Sequence, residues 1–305
     1  MFGGAHMMQP GQPLLDVHQC VSYCVGSFGQ GLDHPECIAW GCDGFAYAGG
    51  EGGQIYRIDI AAGTFEHFAT TPGFVGGICQ DSDHNLYACV GSGVYRITSG
   101  GAVSLYSDGD YGEKMVAPNY PVFDADGNLY VSDAGIWGES NGRVFRIRPG
   151  GHSDVWSEYP KTFPNGLCLS PDGKYLYVAA SLDQPRIERI LINDDGTPGS
   201  REIVTSVPRS VPDGLAFDDG GSLYISCYRP DRIWRYKEDE GLEILVDDYE
   251  GTLMAGPTNI AFCGTERDDL LSSNLGRWHI SRYDLSKIGN PKGAPLNYPK
   301  ILISR

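Results

Sequence analysis

Apolar residues fall at every second position in short runs along the chain, and clusters of Asp, Asn, Gly and Pro separate the runs. NLYVSD from Asn128 and GRVFRI from Gly142 show the alternation, and the D-x-D-G turn ahead of the first supplies the punctuation. A period of two joined by such turns predicts antiparallel strands in a meander.

The meander repeats. ECIAWGCDGFAYAGGEGGQIYRI from Glu36, VGGICQDSDHNLYACVGSGVYRI from Val75 and NYPVFDADGNLYVSDAG from Asn119 share one grammar. NGLCLSPDGKYLYVAAS from Asn165, DGLAFDDGGSLYISCYRPDRIWRY from Asp213 and TNIAFCGTERDDLLSSNLGRWHISRY from Thr258 follow it too. Each has an opening residue, an apolar run, a turn, a second run and a third. A fourth strand fits after the third, as in GTFEHFA from Gly63 and AVSLYSD from Ala102.

With Glu36, Gly76, Asn119, Asn165, Asp213 and Thr258 as anchors, the spacings are 40, 43, 46, 48 and 45 residues. Repeats of about 40 to 50 residues with four strands each are propeller blades. A β-sandwich has no reason to repeat at this period. The expected fold is therefore all-β, a six-bladed β-propeller in one domain over residues 1–305, with residues 1–12 disordered. VHQCVSYCVG near the start and KILISR at the end are apolar enough to give strands to one shared blade, so the termini are expected to close the ring and protect its edges.

Composition agrees: 42 glycines, 18 tyrosines and 20% charged residues suit many short strands and tight turns. A formal charge of −16 with no basic run argues against nucleic acid. The nine cysteines are scattered and form no CxxC pair, so they read as small buried hydrophobes in a reducing, cytoplasmic setting, with Cys20 and Cys24 flagged as one candidate bridge. No signal peptide or membrane-length apolar stretch is visible.

In a propeller the first strand of every blade lines the central channel, so the six anchors converge on one mouth. Glu36, Asp213, Asn119 and Asn165 would bring two carboxylates and two amides to a central cation. Such hard oxygen ligands suit Ca²⁺, Mg²⁺ or Mn²⁺, with Zn²⁺ kept as a further candidate. Gly76 would leave one quadrant open for water and substrate. The competing reading is that Asn-Gly and Asp-Gly at strand starts are ordinary turn chemistry.

HPECIAW, APNYPVFDADGNLYVSD, FPNGLCLSPDGKYLYVA and VPDGLAFDDGGSLYIS resemble the blade-opening motifs of the SMP-30/gluconolactonase/LRE-like family, six-bladed metal-dependent lactonases. The resemblance runs from about Pro35 to Tyr283. It implies that Glu36, Asn165 and Asp213 ligate one divalent metal and that Asn119 contacts substrate or a metal-bound water. It also implies that Asp213 is the catalytic base or nucleophile. The function it implies is hydrolysis of a small lactone, sugar-derived, with the metal polarising the carbonyl and a carboxylate assisting water. Family members acting on sugar acids and aldonolactones can carry an Arg two residues before the third-blade Asn, where this chain has Ala117.

Loops joining second to third strands should rise at the same mouth, which makes Trp137, Tyr228 and Arg229 candidate substrate contacts, with Glu139 and Asn274 beside them. His34 lies two residues before Glu36, but no Ser or Cys motif accompanies it and a structural role is expected. Two alternatives accompany the lactonase reading. One is another hydrolase built on the same metal cup, acting on an aryl ester or phosphotriester. The other is a non-catalytic or metal-independent propeller like strictosidine synthase.

Overall fold

The computed structural model describes residues 11–26, 31–110 and 112–302. After a short helix α1 (Val17–Cys20), strand β1 (Val21–Val25) leads into the repeats. The first blade is β2 (Cys37–Trp40), β3 (Ala46–Gly49), β4 (Gln54–Asp59) and β5 (Thr64–Thr70). The second is β6 (Val75–Gln80), β7 (Leu86–Val90), β8 (Gly93–Ile97) and β9 (Val103–Ser107). The third is β10 (Pro118–Phe123), β11 (Leu129–Asp133), β12 (Arg143–Ile147) and β13 (Ser153–Ser157). The fourth is β14 (Pro164–Leu169), β15 (Tyr175–Ala180), β16 (Arg186–Ile192) and β17 (Pro198–Ser206). The fifth is β18 (Val211–Phe217), β19 (Leu223–Arg229), β20 (Arg232–Lys237) and β21 (Gly241–Asp247). The sixth takes β22 (Ile260–Cys263), β23 (Asp269–Ser272) and β24 (Ile280–Tyr283) from the last repeat and β1 as its outer strand. The six anchored repeats are thus six four-stranded antiparallel blades.

The N-terminal strand closes the ring, with Val21 facing Tyr283 in the ladder. KILISR adds no strand: Lys300–Leu302 have no regular structure, and residues 303–305 lie outside the described residues. The sixth blade's outer edge is already taken, and Pro291, Pro295 and Pro299 lack the N–H groups a ladder needs. Of the segment expected to be disordered, residues 1–10 lie outside the described residues, and Gly11 and Gln12 are exposed without regular structure.

The core consists of buried clusters between neighbouring blades, and the repeated motif explains them. The Tyr of the second strand packs edge-on against a Phe at or next to the end of the next blade's first strand. Tyr87–Phe123, Tyr177–Phe217 and Tyr224–Phe262 meet at 5.0, 4.9 and 5.2 Å between ring centroids. Such pairs add about 0.5–1.5 kcal/mol each beyond burial. The tyrosine hydroxyl donates to the turn aspartate, as Tyr87 does to Asp81 and Tyr224 to Asp218, both at 3.1 Å. The other carboxylate oxygen accepts turn N–H groups, Asn85 onto Asp81 and Ser222 onto Asp218 at 2.8 Å. One aspartate therefore shapes the hairpin and saves the buried phenol from lacking a partner.

The cysteines are all free, so Cys20 and Cys24 are not bridged; Cys20 ends α1, while Cys24 sits within β1. No helix among the described residues is long and apolar enough to cross a membrane.

Candidate active site

The first strands β2, β6, β10, β14, β18 and β22 pack side by side around the channel. Their starts are close because glycine lets them be. A Cβ on Gly166 would stand 2.1 Å from the Asp213 carbonyl oxygen, and one on Gly214 would stand 2.7 Å from the Asn259 Cα. Neither glycine has a positive φ, and both lie inside strands. The Asn-Gly and Asp-Gly pairs are therefore not turns here: their glycines allow neighbouring blades to touch. Gly76 serves in the same way, since its Cβ would be 2.7 Å from the Asn119 carbonyl oxygen.

The ladder is irregular at these points. Pairing slips between Pro164 and Leu167, between Pro212 and Leu215, and between Pro118 and Tyr120, so Asn165, Asp213 and Asn119 sit on bulges. A bulge re-aims a side chain that the regular pleat would bury in the sheet. Just upstream, His34, Phe163 and Arg209 hold left-handed backbone at φ 42°, 57° and 54°. Non-glycine residues in this region are strained, and here they precede Glu36, Asn165 and Asp213.

Buried serines fasten the mouth. Ser273 Oγ and Thr258 Oγ1 both donate to the Glu36 carbonyl, at 2.8 and 2.7 Å, joining the sixth blade to the first. Ser181 Oγ donates to the Pro212 carbonyl at 2.6 Å, and Ser226 Oγ to that of Thr258 at 3.1 Å. The Thr258 hydroxyl is thereby committed to the frame.

Glu36, Asn165 and Asp213 come together, each buried. Burial pushes the Glu36 carboxyl up to about 8. It raises Asp213 well above the usual carboxylate range, with the Glu36 charge adding to the rise and the Asn165 amide opposing it. Glu36 Oε2, Asn165 Oδ1 and Asn259 Oδ1 are buried with no hydrogen-bond partner. Each such orphan costs about 1–3 kcal/mol. A cup of unmatched oxygens around two carboxylates that resist joint ionisation fits a hard divalent cation, and among the described residues Glu36 and Asp213 belong to no cluster of three His, Cys, Asp or Glu ligand atoms.

Asn259, immediately after the last anchor in the sequence, was given no role by anchor counting. Aligning T-N-I-A-F with P-D-G-L-A-F puts it level with Gly214, so its side chain fills the space that glycine leaves. Asp133 was missed as well: wholly buried, it accepts from the N–H groups of Ala117 at 2.6 Å and Val116 at 3.0 Å, and so fixes the segment entering Asn119.

Asn119 itself is half-buried on its bulge. Trp137 is 63% exposed and stacks edge-on against Phe163 at 4.8 Å, which sets it beside the Asn165 strand. Arg229 pairs across the ladder with Val211, two residues before Asp213. Its guanidinium lies 4.7 Å over the Tyr228 ring and donates to Asp231 Oδ1 at 2.9 Å, so its charge is already matched. His34 Nδ1 lies 3.1 Å from Asp33 and 3.4 Å from Glu51. Asp33 Oδ2 is committed to Gly52 N and Gln54 Nε2, so this trio, of which only Glu51 is exposed, is explained by hydrogen bonding.

The blades, with an oxygen-lined cup at one end of their channel, define a six-bladed β-propeller. The chain belongs to the SMP-30/gluconolactonase/LRE-like family, whose model matches residues 35–273. A gluconolactonase from Zymomonas mobilis is 30% identical over 156 residues, a stretch spanning 45% of this chain and 43% of that protein. Among solved structures, a gluconolactonase from Xanthomonas campestris superposes with a TM-score of 0.71 at 20% identity, covering 85% of this chain and 86% of that one. The calcium-binding protein regucalcin from Agrobacterium tumefaciens gives 0.70 at 17% identity, covering 92% and 100%. At such identities these structures show the fold alone.

Proposed function

We propose that the chain is a divalent-cation-dependent hydrolase that opens a small lactone, sugar-derived by analogy with the gluconolactonases it resembles. One observation carries the reading: the buried Glu36 and Asn165 side chains, each with an unmatched oxygen, lie against the Asp213 carboxyl, and the unmatched Asn259 Oδ1 belongs to a side chain packed on Gly214, next in the chain after Asp213. Glu36, Asn165 and Asp213 would hold the cation, with Asn259 completing the set. When bound, the cation supplies a Lewis acid for the ester carbonyl and keeps the carboxylates ionised.

The chain's own groups do the rest. Asp213, as carboxylate, takes a proton from the attacking water while the water oxygen bonds to the carbonyl carbon. The ring C–O bond then breaks, the proton passes to the leaving alkoxide oxygen, and a hydroxy acid results. Asn119 can orient water or substrate with its amide. The exposed face of Trp137 supplies apolar surface for a ring, with Tyr228 and Arg229 as further contacts. Ala117 supplies no cation for a substrate carboxylate, and the position does not choose among lactones.

Hydrolysis of γ- and δ-lactones, aryl esters and a phosphotriester, each measured with and without EDTA, tests the reading. Lactone turnover abolished by EDTA and restored by Ca²⁺, Mg²⁺ or Mn²⁺ is expected. Turnover indifferent to EDTA would remove the metal from the mechanism, and turnover confined to phosphotriesters would replace the substrate.

A further inference from the structure

Beyond β24 the chain crosses the end of the channel opposite the cup. Ala294 N donates to the Phe217 carbonyl at 2.9 Å, Asn297 Nδ2 to that of Phe123 at 3.1 Å, and Tyr298 OH to that of Trp40 at 2.7 Å. Pro299 accepts from Ser82 N at 3.0 Å, and Ile301 is buried with Phe123 and Leu129 between the second and third blades. The tail thus straps the far ends of the first, second, third and fifth blades.

Beneath the strap is a chamber of about 470 Å³. Its walls are the far halves of the six first strands, and none of Glu36, Asn119, Asn165, Asp213 or Asn259 lines it. It is therefore separate from the cup. A volume of this size is that of a small-molecule site.

Its chemistry narrows the ligand. Trp40, Leu169, Phe217, Phe262 and Leu296 give it apolar walls. No Lys, Arg or His is among the lining residues, whereas Asp124, Asp126 and Asp172 stand at the turns that form its edge. An anion would find no counter-charge and three carboxylates at the entrance. Tyr120 also lines the chamber, and among the described residues its hydroxyl has no hydrogen-bond partner, unlike the tyrosines tied to turn aspartates.

We propose that this chamber is a second ligand site, taking an uncharged, ring-bearing organic molecule with a hydrogen-bond acceptor for the Tyr120 hydroxyl. The site is independent of the cup and of the hydrolytic reading. Flavone, planar and neutral with one carbonyl acceptor, is the probe, titrated against the full chain by ligand-observed NMR and calorimetry. Saturable binding at roughly 10 to 100 µM is expected for a ligand of this size. Tyr120→Phe should weaken it about five-fold, the worth of one neutral hydrogen bond. Ala261→Phe, which fills the chamber from β22, should weaken it at least about ten-fold. A flavone bearing a carboxylate should bind at least about ten-fold more weakly than flavone. Glu36→Gln, at the other end of the channel, should leave flavone binding unchanged.

Absence of saturable binding up to roughly 1 mM overturns the proposal. So does wild-type affinity in both chamber variants, equal binding of the carboxylate, or loss of binding in Glu36→Gln, which would move flavone to the cup. Should Ala261→Phe not fold, Tyr120→Phe decides, because removing one oxygen leaves the packing intact.

Discussion

Without a cation, the cup should make the protein less stable as the pH rises. Glu36 has a carboxyl raised by burial from an ordinary 4.5 to about 8. Between those values the folded chain holds a proton that the unfolded chain has released, so unfolding free energy falls with rising pH and levels off above about 8. At about 1.36 kcal/mol per pH unit the full effect has an upper bound of about 5 kcal/mol. Asp213, raised in the same direction, steepens the trend. In a chain of this length 5 kcal/mol corresponds to a melting shift of about 10 °C. Melting temperatures in EDTA should therefore drop from pH 5 to pH 8.5, and a saturating divalent cation should restore most at the alkaline end, where its binding no longer has to displace protons. Glu36→Gln isolates the Glu36 share: it removes that ionisable group, so the EDTA curve should become shallower, keeping the part that buried Asp213 carries, and the variant should melt above wild type at pH 8 while losing the cation response. A wild-type EDTA curve flat across this range, or a Glu36→Gln variant that melts lower at pH 8, would refute the reasoning.

Three further outcomes are expected. Asp213→Asn keeps an oxygen donor but loses the proton acceptor, so lactone turnover should stay down about 10²-fold or more even at saturating metal, whereas Asn165→Ala should recover in part; full recovery of Asp213→Asn in steady-state kinetics would leave Asp213 as a ligand only. Gly166→Ala places a methyl group 2.1 Å from the Asp213 carbonyl oxygen and should cost about 1–3 kcal/mol in urea unfolding, with a neutral result showing that the blades can separate there. Trp137→Ala should change the ranking of substrates without lowering the melting temperature, because the ring is 63% exposed; Arg229→Ala should change the ranking less, since Asp231 already holds its charge, and equal loss on every substrate would remove both from specificity.

The repeat alone determined the architecture. A period-two pattern returning every 40 to 48 residues can bury its apolar faces only by stacking copies, and the N-L-Y and D-x-D-G elements carry the Tyr–Phe and Tyr–Asp contacts that join one copy to the next. The phase of the repeat likewise marked Glu36, Asn165 and Asp213 as neighbours, because equivalent positions in a closed ring face one axis. Closure was legible at one end only. The alternation in VSYC fitted β1 to the free edge of the last repeat, but KILISR reads the same way and instead belongs to a strap, since whether an apolar run pairs depends on which edges remain open. The glycines after Asn165 and Asp213 looked like turn signals and serve close approach, a distinction that rests on distances between residues far apart in sequence. Asn259, set one place off the repeat phase, became a candidate donor only when it was seen packed on Gly214 with an unmatched oxygen. The repeat implied that the six first strands line a channel, but the chamber had no sequence signal of its own, because it is closed by a tail outside the repeat.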